Sequence, residues 1–187
     1  MAWNNAGEIE NALRKIILMQ AHSMFMGGIP MLYYGDEMAY TNDYSYLSDP
    51  GKSYDNRWMH RPIIDWNKNE QRKKKGSLEY RIFNATKQLI QIRKALPILS
   101  DFSNVTWMTP HNIHVASFIR SFEDKKLFCL FNYQPADSFV TWYTFKEHGI
   151  RPAQLKDHWT GLTHHVGNDN EYFILGAYEF AILEVID

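Results

Sequence analysis

The side chains best suited to chemistry lie in the first third of the chain. Asp36 and Glu37 stand side by side, just after the apolar run 29–34. Paired carboxylates are tools of general acid–base and nucleophilic catalysis. On an extended segment, however, successive side chains point to opposite faces, so these two would not converge on one bond. They read first as structural acceptors that hold a loop, with a place in a pocket wall as the alternative. Further along come Asp55, Arg57, Trp58, His60 and Arg61. A guanidinium is always charged, and its planar fork can hold a carboxylate or a set of hydroxyls in fixed geometry. Asp55 could orient either arginine, and either arginine could reach a pocket; a plain surface role is the alternative for Arg57. Trp58 and His60, with Tyr33 and Tyr34, offer ring faces for stacking. Tyr33 and Tyr34 alternate along the run, so at least one of them is expected in the core.

Other chemistries find little support. His158, His164 and His165, with Asp157, lack the spacing of a structural zinc site. Glycine-rich phosphate fingerprints and a serine elbow are missing. No metal and no cofactor is expected. Lys68, Arg72, Lys73, Lys74 and Lys75 form a basic stretch that could meet an anionic surface. No stacking aromatics interleave them, which favours a solvated loop. The chain carries 20 basic and 21 acidic side chains, a net charge of −1, so no nucleic-acid partner is expected from charge. Cys129 is the single cysteine and sits in an apolar run, which reads as a buried, inert thiol. No apolar run approaches the ~18 residues of a membrane span, and residues 1–8 do not resemble a signal peptide. A cytoplasmic protein without a membrane partner is the expectation.

These groups need elements to position them. The 187 residues are 45% hydrophobic and 15% aromatic, enough for a packed core. Ile9, Leu13, Ile16, Ile17, Gln20 and Met24 recur at helical steps, predicting a helix over about 8–26 that stops at Gly27-Gly28. The run 29–34 fits a buried strand with Pro30 at its start. Residues 40–76 lack periodicity but are rich in aromatics, which predicts an ordered functional loop. A second helix is expected over 77–95, with Leu78, Ile82, Ala85, Leu89, Ile92 and Leu96 as its buried stripe and Pro97 as its end. Short strands then follow at about 113–120, 126–133, 138–143, 154–157, 172–175 and 181–186. Their spacing suggests an antiparallel sandwich.

The segment Gly28-Ile29-Pro30-Met31-Leu32-Tyr33-Tyr34-Gly35-Asp36-Glu37 resembles the G-x-P-x-x-Y-x-G-x-E segment of the α-amylase superfamily, glycoside hydrolase family 13. Asn42-Asp43 and the D-x-R-W-x-H-R-P loop, Asp55 to Pro62, are similar to amylosucrase and its sucrose-hydrolysing relatives. Arg61-Pro62 with Trp66 also resembles a stretch of related α-glucosidases, so the choice between Arg57 and Arg61 stays open. The tail from Leu175 to Glu184 resembles the family's C-terminal β-domain.

The resemblance implies an α/β plus all-β architecture: helix 7, strand 8, a loop and helix 8 of a (β/α)8 barrel, then an antiparallel β-sandwich. Residues 1–96 would be the barrel's end and 97–187 the β-domain. Such barrels place their chemistry on the C-terminal ends of strands and the loops after them. Retaining glycoside chemistry needs two carboxylates about 5–5.5 Å apart. In the family these follow strands four and five, with a third after strand seven, all expected N-terminal to Met1. The resemblance therefore assigns no catalytic residue here. It implies substrate binding by Arg57, Asp55, Trp58, His60 and Arg61, with Tyr34, Asp36 and Glu37 in the pocket loop. Sucrose or an α-glucan would be the substrate, and the chain alone would be inert. α-Amylase and sucrose hydrolase are alternatives within the class; the oligomeric state is open. A second reading makes the β-domain a carbohydrate- or partner-binding module, with Trp107, Trp142, Tyr143 and Trp159 as its platform or, alternatively, as core. Alone, 1–96 is expected to be poorly packed and 97–187 to fold independently.

Overall fold

In the computed structural model, residues 5–148 and 151–186 are described. The helices are α1 (Ala6–Met26), α2 (Trp66–Glu70), α3 (Leu78–Ala95) and α4 (Trp142–Lys146). The strands are β1 (Val105–Trp107), β2 (Val115–Phe122), β3 (Lys125–Asn132), β4 (Ser138–Thr141), β5 (Gln154–Asp157), β6 (Thr163–His165), β7 (Tyr172–Leu175) and β8 (Phe180–Val185). Two compact units result: the described parts of Met1–Pro30 and Gln88–Asp187 form one, Met31–Lys87 the other. These units do not follow the 96/97 boundary expected from the sequence: 5–30 and 88–96 group with the β-rich part of the chain.

Asn5 starts α1 by accepting the Gly7 backbone N–H on its side-chain oxygen at 3.0 Å. Gly27, at φ 150° and ψ 179°, ends it in a conformation that side chains rarely adopt. The last carbonyls of a helix need outside donors, and no basic residue in the last turn of α1 supplies them. Two distant arginines do. Arg120, fully buried on β2, donates through Nη1 to the carbonyls of Phe25 (3.0 Å) and Met26 (2.7 Å). Its Nε donates to Asn104 at 2.6 Å and its Nη2 to the Asp101 carbonyl. Arg93 donates to the carbonyls of Met24 and Gly28. The buried face of α1 is Leu13, Leu18, Ala21, Met24 and Phe25. Only Leu13 and Met24 belong to the stripe expected from the sequence, and Ile16 is exposed. The sheet decides which face turns inward.

That sheet has six strands in the order β1-β2-β3-β8-β5-β6, all antiparallel; β4 and β7 form a separate antiparallel pair. Its central strands are buried on both sides, and alternate residues serve two cores. Phe118, Leu127, Cys129, Phe131, Phe180 and Ile182 pack with Leu18, Ala21 and Phe25 of α1 and Leu89 and Ile92 of α3. Ile119, Phe128, Leu130, Leu155, Ala181 and Leu183 pack with Val140, Trp142, Phe145, Phe173 and Leu175. Cys129 is buried, and burial pushes its thiol pKa well up, so it stays protonated and inert.

Several expectations are corrected. Residues 138–143 are not one strand: the chain leaves β4 at Thr141 and turns into α4. Trp142 and Phe145 are both buried in the same core. Residues three apart share a face on a helix but not on a strand. β1 and β6 were not foreseen; each is a three-residue strand at an end of the sheet, without an alternating apolar pattern. Residues 29–34 do not form a strand, and Ile29 and Met31 are about nine-tenths exposed. A strand needs neighbours for its N–H and C=O groups, and the described residues pair none with this segment.

Between Met31 and Lys87 order comes from a different device. Short helical turns at Asp36–Met38, Ser45–Ser48 and Asn56–His60 precede α2 and the turn Gln71–Lys73. Asp43, Asp49, Asp55 and Asp65 each accept the backbone N–H two residues on, at 2.9, 2.9, 3.0 and 2.9 Å. Four aspartate turns thus stand in for apolar periodicity. Ser77 Oγ accepts the Tyr80 N–H at 3.0 Å and opens α3. Among the described residues no helix is long and apolar enough to cross a membrane.

Candidate functional site

Gly35 is the pivot of the motif-bearing segment. At φ 94° it lies in the left-handed region, and a Cβ there would meet the Tyr40 ring at 3.1 Å. The turn after it is held by the two adjacent acids: Asp36 Oδ2 accepts the Tyr33 N–H at 3.3 Å, and Glu37 Oε2 accepts the Gly35 N–H at 3.1 Å. Both carboxylates thus face their own backbone. Tyr33 and Tyr34 do not alternate across a strand; their rings lie 4.5 Å apart and both are half-exposed. A hydrogen bond with Tyr33 raises the Tyr34 hydroxyl above its ordinary pKa. Tyr40 closes the segment from the other side: its hydroxyl accepts the Asp65 N–H at 2.7 Å and reaches Asn69 Oδ1 at 3.0 Å.

The 55–61 loop separates its two arginines. Asp55 and Arg57 form a forked ion pair, with Nε 2.9 Å from Oδ1 and Nη2 2.8 Å from Oδ2. That hydrogen bonding holds the Asp55 carboxyl down to about 2. The Arg57 side chain is 74% exposed. Arg61 instead lies over Trp58, its Cζ 5.2 Å from the ring centre, and Lys52 Nζ approaches the same ring to 5.2 Å. Trp58 and Arg61 line a cavity of about 130 Å³ together with Asp43, Tyr46, Asp49 and Lys52. Of the sequence candidates, the structure brings only Trp58 and Arg61 to this cavity. Asp55, Arg57, His60, Tyr34, Asp36 and Glu37 do not line it. His60 Nδ1 sits 3.2 Å from Asn42 Oδ1.

Asp43, Asp49 and Lys52 were missed as lining residues. The signal available was the aspartate-turn spacing, Asp43-x-Ser45 and Asp49-x-Gly51, which ties each carboxylate to the backbone N–H two residues on. Hydrogen bonds from Ser45 lower the Asp43 pKa, and those from Lys52 and Gly51 lower that of Asp49. Every shifted carboxylate in the loop is therefore shifted toward the ionised form. Such groups accept hydrogen bonds well but are poor proton donors near neutral pH. The cavity is also smaller than the ~300–1,000 Å³ of ordinary ligand pockets. This geometry suits a wall that presents fixed acceptors, two cations and a ring.

Elsewhere, the basic stretch is partly neutralised: Lys68 pairs with Glu79 at 2.6 Å, and Glu70 takes Lys73 at 2.5 Å and Arg72 at 3.4 Å. His158 pairs with Glu184 at 2.8 Å. Among the described residues no three His, Cys, Asp or Glu side chains are grouped to hold a metal. Trp142 and Trp159 belong to different cores, whereas Trp107 and Tyr143 are about half-exposed or more, so the four aromatics of the β-domain do not make one platform.

No family model matches the chain. Solved structures do share its fold. AmyP, in complex with maltotriose, aligns with a TM-score of 0.70 at 18% identity, over 92% of this chain and 35% of its own. An Anoxybacillus α-amylase aligns at 0.61 and 18%, over 94% of this chain and 33% of its own. The α-amylase of Geobacillus thermoleovorans, complexed with acarbose, aligns at 0.62 and 16%, over 94% and 34%. The mixed helix and antiparallel-sheet fold is thus one found within α-amylase-family glycoside hydrolases. The chain spans about a third of the length of these neighbours.

Proposed function

We propose that this chain is the C-terminal part of a retaining α-amylase-superfamily enzyme. It would comprise the last repeat of the barrel and the β-sandwich domain, with 28–62 forming one wall of the sugar pocket. The observation that carries the reading is the alignment with AmyP over 92% of this chain and only 35% of the other. The motif-bearing segment agrees with it. Residues 29–34 have strand composition but no ladder, and their apolar side chains are exposed. An adjoining barrel strand would cover both deficits. In this reading, Asp36 and Glu37 shape the turn and Arg61 and Trp58 face the sugar. Arg57 presents its free guanidinium edge beyond Asp55 to a further carboxylate. The proton-transfer groups would come from elsewhere in the barrel.

The substrate follows from two supports. AmyP was solved with maltotriose and with maltose, which favours an α-glucan. The Asp55–Pro62 resemblance favours sucrose, cleaved in amylosucrase fashion with transfer or hydrolysis of the glucosyl unit. The test extends the chain with the coding sequence preceding it and assays both substrates. Fructose release from sucrose supports the amylosucrase branch. Reducing ends from maltotriose alone move the enzyme to the amylases. Activity on neither overturns the proposal, as does turnover of either sugar by the 187-residue chain itself.

A further inference from the structure

The β-rich unit leaves one strand edge open, and the enzymatic reading above does not use it. Among the described residues β4 and β7 pair only with each other, in the register Ser138↔Leu175, Phe139↔Ile174, Val140↔Phe173 and Thr141↔Tyr172. Just beyond Thr141, the Trp142 N–H donates to the Glu171 carbonyl at 2.9 Å. Bonded and non-bonded pairs alternate in an antiparallel ladder, so Ser138, Val140, Phe173 and Leu175 bond across the pair. The N–H and C=O groups of Tyr172 and Ile174 therefore point away from β4, and those of Phe139 point away from β7. The edge of β4 is partly closed, since the Phe139 carbonyl accepts Asn112 Nδ2 at 3.3 Å. Among the described residues nothing bonds the outward groups of Tyr172 and Ile174. Both side chains are more than half exposed, and the Phe139 ring lies 5.8 Å from that of Tyr172 on the same face. On the inner face, Phe173 meets the His164 ring of β6 at 5.1 Å, and β6 itself ends the six-stranded sheet. This layer packs on the second core, away from α1 and α3 in the first.

An open strand edge is a template for another strand, and this one fits its own copy. Two β7 strands can lie antiparallel about a two-fold axis through Phe173. Tyr172 then stands opposite Ile174 of the second copy, and Ile174 opposite its Tyr172. These are the residues whose N–H and C=O groups point outward, so each such pair exchanges two hydrogen bonds. Their side chains meet on the exposed face as aromatic and β-branched pairs, a favourable cross-strand combination. Charge agrees with the register. Residues 172–175 carry none, and Glu171 falls opposite Leu175 rather than opposite its own copy, so no like charges face each other. We propose that two copies of this chain dimerise through β7, making a four-stranded sheet in the order β4-β7-β7-β4. The contact is small for a permanent interface, so the dimer is reversible. A two-fold contact closes on itself, so growth stops at two. The inference rests on the strand edge and stands whether or not the enzymatic reading does.

The test is sedimentation velocity of the 187-residue chain across a concentration series. The expected weight-average mass rises from that of one chain toward twice that value and no further. Backbone amide exchange at Tyr172 and Ile174 should slow as concentration rises, while exchange at Phe139 stays unchanged. Ile174→Pro removes an outward N–H and leaves the bonds to β4 in place. It should hold the chain monomeric, with circular dichroism confirming the fold. Phe139→Ser trims the exposed face without touching the β7 edge and should leave the dimer intact. Four results overturn the proposal: a monomer at every concentration, a dimer without slowed exchange at Tyr172 and Ile174, assembly beyond two copies, and a dimer that survives in folded Ile174→Pro or is lost in Phe139→Ser, which would mean packing face to face. The exchange measurement needs no variant and decides the matter even where Ile174→Pro does not fold.

Discussion

The two compact units spend the same kinds of residue differently. In the β-rich unit nearly every large apolar side chain of β2, β3 and β8 is buried, and even a guanidinium, that of Arg120, is fully enclosed and bonded. In Met31–Lys87, Met31, Tyr54, Ile63 and Trp66 each expose three-quarters or more of their surface. The first unit is held by hydrophobic burial on two faces of a sheet; the second is held by aspartate turns and a few ion pairs. Burial stabilises far more per residue than exposed polar turns do. The segment with the clearest motifs is therefore the less strongly held of the two.

The strongest way to break this contrast is from its stable side. Phe131 is fully buried, stacked on His22 with centroids 4.8 Å apart and near Phe118 and Phe180. Phe131→Ala should cost about 3–5 kcal/mol, the usual range for a core phenylalanine. Urea unfolding should show it as a fall in midpoint at constant slope. Met31→Ser, on the exposed segment, should shift the midpoint hardly at all. Equal losses would show that the two units are not held differently.

Arg120→Ala comes next. It removes no aromatic core, but it strips donors from the carbonyls of Phe25 and Met26 and leaves a cavity. The expected cost is about 3 kcal/mol, combining lost charged hydrogen bonds with stranded acceptors. Hydrogen exchange should show the last turn of α1 opening first. Arg120→Lys should recover only part, since an ammonium cannot reach the carbonyls of α1, Asn104 and Asp101 together.

What the sequence made legible follows the same divide. The ranges of α1 and α3 and the strands β2, β3, β5, β7 and β8 were readable because their apolar spacing matches the period of the element that buries it. The α1 stripe was misread because Ile16 and Leu18 are equally apolar, and only the opposing sheet decides which turns inward. The break at Trp142 was hidden because tryptophan and phenylalanine suit strands and buried helices alike. The Arg120 cap had no local signal, since its partners lie 94 and 95 residues away in the chain. For the candidate site, Trp58 and Arg61 were readable as a stacking ring and a cation. That Arg57 would be claimed by Asp55 depends on the turn at Asn56–His60, whose capping aspartate was noticed only as an orienting group.

Gly35→Ala probes the weaker unit. At φ 94°, with the Tyr40 ring 3.1 Å from the new Cβ, alanine is both strained and crowded. The cost should be about 1–3 kcal/mol and should stay local. Exchange protection at the Met38 and Tyr40 amides, both bonded to the Gly35 carbonyl, should fall. The β-rich unit should unfold at its usual denaturant concentration. A global loss of stability would mean that the two units fold as one and would erase the distinction between them.

The smallest effect is the most specific. Asp55 is held down to about 2 by its hydrogen bonds to Arg57, against an ordinary carboxylate near 3.8. A depressed native value means that the ionised form belongs to the folded loop. Its contribution is complete above about pH 4 and is lost as pH falls through 2. The pair is open to solvent, so the consequence is local order rather than a shift of the whole melting curve. In nuclear magnetic resonance spectra the Arg57 Nε–H should keep a shifted, slowly exchanging signal at pH 3 and lose it near pH 2. Asp55→Asn should lose that signal at every pH, because one amide oxygen cannot take both arms of the fork. A signal that persists in Asp55→Asn would mean that Arg57 is held by another group, leaving its outward edge without the role assigned to it in the sugar pocket.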